Sequence, residues 1–207
     1  MNTLQIDSIC VGNVQTNCYF VRNPETRELI IVDAGDEADR IIRAIGDGWK
    51  PAAVLATHGH YDHVGAVDDI CAHFGIPFYV HAEDIPKLKN SAGNASLMFG
   101  LHPICIQTEP IPLTDGQTLE LAGFTVTVLH TPGHSRGSCC FLLPGDQAVL
   151  CGDTLFAQGY GRTDIGDGDF KQIKQSLRRL LFDIPRQPAY PGHGESTMAG
   201  RKAGADA

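Results

Sequence analysis

One short run, Thr57-His58-Gly59-His60-Tyr61-Asp62-His63, places three imidazoles and a carboxylate within six positions. Those donor types together suit zinc, iron or manganese, and the lack of a thiolate argues against a structural zinc site. A lone histidine in such a run is more often a polar surface residue. Three of them with an aspartate at H-x-H-x-D-H spacing, directly after the apolar run Ala52–Ala56, read as a ligand loop whose backbone curls to turn alternate side chains inward. Three further segments repeat the design: Leu129-His-Thr-Pro-Gly-His134, Leu150-Cys-Gly-Asp153 and Tyr190-Pro-Gly-His193. Pro-Gly before each histidine sets a sharp turn, and the glycine before Asp153 allows a close backbone approach. Singly, each is a turn residue; four such segments at strand ends in one chain point jointly to metal binding.

The elements that must carry these loops are legible from periodicity. Leu4–Val11, Asn17–Val21 and Leu29–Val32 read as strands, with a hairpin-like turn at Arg22–Arg27. A helix is predicted from Asp36, with Ala38, Ile41, Ile42 and Ile45 on one face and Gly46 and Gly48 as its stop. Ala52–Ala56 is a buried strand, and a second helix carries Val64, Val67, Ile70, Cys71 and Phe74 up to Gly75. Phe78–Val80 reads as a strand and Glu83–Lys89 as a helix, while the irregular Gly93–Ile111 is expected to form part of a substrate mouth. Further strands fall at Thr118–Leu121, Thr125–His130, Ser138–Leu142 and Ala148–Cys151, then a helix at Phe170–Leu181 and a last strand leading to Tyr190. Strands followed by strand–helix units, twice over, predict an α/β fold: two sheets packed face to face with helices outside, a four-layer sandwich.

The chain has 207 residues, which fits one domain over 1–207, with 198–207 read as a flexible tail. A formal net charge of −8 and no cluster of Lys or Arg disfavour nucleic acid as a partner. No basic segment followed by a long apolar one opens the chain, and no apolar run approaches the roughly 20 residues that span a bilayer. A cytoplasmic protein with no membrane partner is expected, its oligomeric state unspecified. Seven cysteines without a C-x-x-C are expected to be buried free thiols.

With H-x-H-x-D-H followed by a distant His, an Asp and a final His, the chain resembles the metallo-β-lactamase superfamily over nearly its whole length. Val32-Asp33-Ala-Gly35, Thr131-Pro-Gly-His134, Gly152-Asp-Thr-Leu-Phe156, Gly161-Arg-Thr-Asp164 and Pro191-Gly-His-Gly194 are similar to segments of its glyoxalase II-related hydrolases, in particular a short bacterial subgroup. The resemblance implies two divalent ions, zinc first with iron or manganese as alternatives. His58, His60 and His134 would hold one, Asp62, His63 and His193 the other, and Asp153 would bridge them. Two such cations lower the pKa of a bridging water and polarise a carbonyl above them, so no Ser or Cys nucleophile is required. Asp62 is then expected to orient the hydroxide. Asp33, His130 and Asp164 are candidates for positions behind the ligands. Arg162 is expected either to face the substrate or to pair with Asp164. His73, His81 and His102 lack motif company and are read as structural or surface residues.

The expected substrate is a small acyl thioester such as S-D-lactoylglutathione, because a thiolate leaves without a strong general acid. In the two-domain relatives a Lys and a Tyr contact glutathione where Arg162 and Asp164 stand here, and a C-terminal domain adds basic contacts. Tight glutathione binding is therefore not expected. The alternatives on the same scaffold are a lactonase and a persulfide dioxygenase with one iron at His58, His134 and Asp153. A non-catalytic metal-binding module is disfavoured by the intact ligand set.

Overall fold

The computed structural model describes residues 4–98 and 102–201. Its first six strands form one sheet in sequence order: β1 (Gln5–Val11), β2 (Thr16–Asn23), β3 (Glu28–Val32), β4 (Lys50–Leu55), β5 (Phe78–His81) and β6 (Ile111–Leu113). The last six form the other: β7 (Thr118–Leu121), β8 (Phe124–His130), β9 (Cys139–Leu142), β10 (Val149–Gly152), β11 (Gln187–Pro191) and β12 (Thr197–Ala199). Strands β1 to β3 pair antiparallel, β3 to β6 parallel, and β10 and β11 parallel within an otherwise antiparallel second sheet. Every parallel step needs a crossover, and helices supply most of them: α1 (Ala38–Ile45), α2 (Tyr61–Val64), α3 (Val67–Phe74), α4 (Ile85–Leu88) and α5 (Phe170–Phe182).

Alternation of side chains along the strands produces four layers. On β3, Ile30 and Val32 face the second sheet, where they meet Phe124, Val126, Val128 and Phe141. Leu29 and Ile31 face the other way, onto Ile41 and Ile45 of α1 and Val67 and Ile70 of α3. The outer face of the second sheet presents Leu129, Val149 and Cys151 to Leu180 of α5. Asp169 caps α5 by accepting from the backbone N–H groups of Lys171 (2.7 Å) and Gln172 (3.0 Å).

Several details differ from the sequence reading. The second helix is two pieces, α2 and α3, broken at Gly65 and Ala66. Gly65 is still helical, but Ala66 leaves the helical region (φ −97°, ψ 1°) and its backbone N–H donates to the carbonyl of Ala34 at 3.0 Å instead of continuing the helix. Glu83–Lys89 resolves into a 3-10 turn (Ala82–Asp84) followed by α4. The tail reading is corrected at Met198 and Ala199, which belong to β12 and pair with Pro188 and Gln187; residues 202–207 lie outside the described residues. Cys18, Cys71, Cys139, Cys140 and Cys151 are buried free thiols, whereas Cys10 and Cys105 are exposed. Among the described residues no helix is long and apolar enough to cross a membrane.

Candidate metal centre

Each candidate ligand segment begins where a strand stops. His58 to His63 follow β4, His134 follows β8, Asp153 follows β10, and His193 follows β11. The strand ends converge at one edge of the sandwich. There the donor atoms of His58, His60 and His134 lie within 4.8 Å of one another, as do those of Asp62, His63 and His193, and those of His58, His63 and Asp153. His60 Nδ1 stands 2.9 Å from His134 Nε2. Asp153 reaches toward both groups, with Oδ2 at 3.4 Å from His134 Nε2 and 3.6 Å from His193 Nε2, and Oδ1 at 3.5 Å from His63 Nε2. Asp62 Oδ2 is 3.3 Å from His193 Nε2 and 3.5 Å from His63 Nε2. Gly192 makes this approach feasible, since a Cβ there would sit 2.3 Å from Asp153 Oδ1.

The donor chemistry fits divalent cations. His58 Nε2, His60 Nε2, His63 Nε2 and Asp153 Oδ1 are buried without a hydrogen-bond partner. A bare buried polar atom costs roughly 1–3 kcal/mol, and pooled lone pairs are what a cation uses. The far sides of the rings are held. His134 Nδ1 faces the carbonyl of Arg162 at 2.7 Å and His193 Nδ1 that of Val14 at 3.2 Å. A carbonyl only accepts, so these Nδ1 atoms carry a proton, which leaves each Nε2 as the atom that would face a cation. His63 Nδ1 lies 2.9 Å from Asp33 Oδ2, and His58 Nδ1 lies 3.2 Å from the hydroxyl of Thr57, which itself donates to Asp33.

Electrostatics divide the imidazoles. Burial, reinforced by His134, pulls His60 down to about 3, and burial with its histidine neighbours also holds His58 well below the usual range. Burial opposes charge on His63 too, but Asp33, Asp62 and Asp153 outweigh it and push His63 up to about 10. Burial would raise Asp62, yet His63 and His193 hold it below the usual carboxylate range.

The positions behind the ligands are redistributed. Asp33 lies against His63 and the backbone N–H of Thr57. His130 does not: it continues the inward row Phe124, Val126 and Val128 of β8, stacks on His81 (centroids 3.9 Å apart, 11° between planes) and meets the carbonyl of Arg136. Asp164 is also corrected, because its carboxylate pairs with the Arg162 guanidinium (2.7 and 2.8 Å) while the Arg162 carbonyl is what supports His134. His73 and His102 are exposed and His81 is buried beside His130.

Over the centre opens a cleft of about 420 Å³. Val14, Tyr61, Ala95, Phe156 and Ile165 make its apolar wall, and Arg162 is the only Lys or Arg among the described residues lining it. Of the described part of Gly93–Ile111, Ala95 lines the cleft; residues 99–101 of that stretch lie outside the described residues. Sequence reasoning missed the buried pair Asp84 and Lys87 beside the ligand loops; their i,i+3 spacing ahead of Leu88 was the available signal.

Residues 11–193 match the family model of the metallo-beta-lactamase superfamily. The hydroxyacylglutathione hydrolase GloC of Haemophilus influenzae is 33% identical, over 96% of this chain and 95% of the relative. Among solved structures, BLEG-1, a B3 metallo-beta-lactamase, superposes with a TM-score of 0.88 at 34% identity, over 94% of each chain. TTHA1623 in a di-iron-bound form gives 0.81 at 36% identity, covering 92% of this chain and 93% of that one.

Proposed function

The chain belongs to the metallo-β-lactamase superfamily, and we propose that within it this protein is a dinuclear hydrolase of small acyl thioesters, S-D-lactoylglutathione among them. The observation that carries the reading is Asp153, whose two oxygens lie within 3.6 Å of ring nitrogens from both ligand sets, under an apolar cleft. The similarity to a hydroxyacylglutathione hydrolase over 96% of the chain supports the thioester. The metal is zinc in this proposal; the di-iron form of a similar structure makes iron the alternative. The setting is the cytoplasm, with a small-molecule substrate and neither nucleic acid nor membrane as partner.

Bound divalent ions supply hydroxide at neutral pH and polarise the substrate carbonyl. The chain's own residues do the rest. Asp62 is held ionised by His63 and His193, accepts from the hydroxyl of Thr16 at 3.2 Å, and so presents a fixed carboxylate to orient the attacking oxygen. His134 and His193 are fixed in tautomer by main-chain carbonyls. Val14, Phe156 and Ile165 exclude water from one side of the acyl group. No Ser or Cys is among the described residues lining the cleft, so the nucleophile does not come from a side chain of that kind.

The test is metal analysis of protein from unsupplemented cells, with turnover of a thioester, a lactone, a persulfide and a β-lactam. Two metals and a preferred thioester support the proposal. A single iron with oxygen-dependent persulfide turnover, or preference for the lactone or β-lactam, overturns it.

A further inference from the structure

Asp84 follows β5, apart from the ligand motifs, yet its side chain is fully buried and accepts four hydrogen bonds from three directions. Oδ2 takes the backbone N–H of Gly59 at 2.8 Å and the hydroxyl of Ser135 at 2.7 Å. Oδ1 takes the backbone N–H of Gly137 at 2.7 Å and the ammonium of Lys87 at 2.7 Å. Gly59 is the residue between His58 and His60, and Ser135 is the residue after His134. One carboxylate therefore bolts together the two loops whose ring nitrogens, His60 Nδ1 and His134 Nε2, face each other at 2.9 Å.

The fit is steric as well as polar. A Cβ on Gly137 would lie 2.6 Å from Asp84 Cγ, where only glycine leaves room, and one on Gly59 would lie 3.2 Å from Asp84 Cβ, a tight approach, so both loops close in on the carboxylate. Lys87, 6% exposed, also meets Asp167 at 2.7 Å. Asp167 lies in the loop that carries the Arg162 carbonyl, the partner of His134 Nδ1. Four donors converge on Asp84, so the site demands an acceptor on both oxygens; an amide would turn an N–H group against two of them.

We propose that Asp84 is a positioning residue that sets the spacing of His60 and His134, and with it the affinity of the metal set to which they belong. This rests on the reading of the cleft as a two-metal centre and is independent of the substrate. Among the described residues Asp84 makes no hydrogen bond or ion pair with Asp62, His63 or His193, and it meets their loop only at Gly59, beside His60, so the loss is expected on the His60–His134 set.

Zinc binding is measured by chelator competition on wild type and Asp84→Asn, with circular dichroism as the check on folding. The expected result is one equivalent weakened about tenfold or more, as for other residues that orient ligands, and the other unchanged. In a His60→Ala background Asp84→Asn should add no further loss. Equal weakening of both equivalents, weakening of neither, or an additive loss in the double variant overturns the proposal. If Asp84→Asn does not fold, Ser135→Ala, which removes one of the four contacts, is expected to show the same one-sided loss in smaller degree, and unchanged affinities would overturn it. A wild type that takes up no metal would bring down the metal-centre reading itself, whereas a two-metal wild type with an unaffected variant removes only the role of Asp84.

Discussion

His134 donates its Nδ1–H to the main-chain carbonyl of Arg162 across 2.7 Å. The loop that presents the cleft's positive side chain is thus the same loop that fixes the tautomer of a ligand candidate. The side chain and the carbonyl of Arg162 do separate jobs, and mutation can take them apart.

Arg162→Ala removes the guanidinium and leaves the carbonyl. Its ion pair with Asp164 is exposed to solvent, which screens it, so folding and metal content should be unchanged. We expect kcat/KM for lactoylglutathione to fall through KM, while a neutral thioester is spared. In the wild type, Asp164 already occupies the guanidinium, so KM for lactoylglutathione should be high and shorter thioesters should be accepted within about tenfold in kcat/KM, about 1.4 kcal/mol. Equal losses on the anionic and neutral substrates would show that Arg162 only braces its loop.

His58→Ala and His134→Ala should each abolish hydrolysis and reduce bound metal to about one equivalent or less. His73→Ala and His102→Ala, both exposed, serve as controls that keep wild-type metal content. Two full equivalents in the first pair of variants would sink the ligand assignment.

Asp153→Asn should damage both sets together, because a neutral amide is a poor bridge between two cations. Metal stoichiometry and turnover measured on the same preparation decide it. Retention of two metals with near-normal turnover would make Asp153 a turn residue.

The protonation of His63 gives a pH signature to the metal-free protein. Its ring is pushed from the ordinary 6.5 up to about 10, with three carboxylates overcoming burial. A raised pKa means that its stabilisation is complete below about pH 6.5 and is lost as pH climbs through about 10. The same proton must leave before the ring can bind metal. Affinity for the equivalent held by Asp62, His63 and His193 should accordingly rise between pH 7 and 9, by up to about tenfold per unit. Chelator competition at three pH values measures this, and a flat profile would mean that His63 is neutral before metal arrives.

The candidate ligand residues were legible because their donor types and turn spacing are local properties of the chain. The layers were legible from alternation on β3 and β8. What escaped depends on where a side chain points after folding. His130 lies only four positions from His134, yet the pleat of β8 sends it to His81 instead. Asp84 reads as a carboxylate at the start of a helix, and only the approach of Gly59 and Gly137 makes it a junction. β6, with a proline in its three residues, and β12, in a small polar segment, exist because neighbouring strands offer them an edge.

The order of the strands has a consequence for how the centre comes into being. All six strands of the first sheet precede all six of the second, with the chain passing between them at 114–117. His58 and His60 lie on the earlier side and His134 on the later; Asp62 and His63 lie on the earlier side and His193 on the later. A nascent chain released only as far as Leu113 therefore carries four donors but neither complete set. Neither set can be completed until the later sheet docks, and an ion held by a complete set would then work as a clasp across the seam between the two. By mass action the clasp tightens with free metal concentration, so starving the protein of metal should loosen the seam before it loosens either sheet.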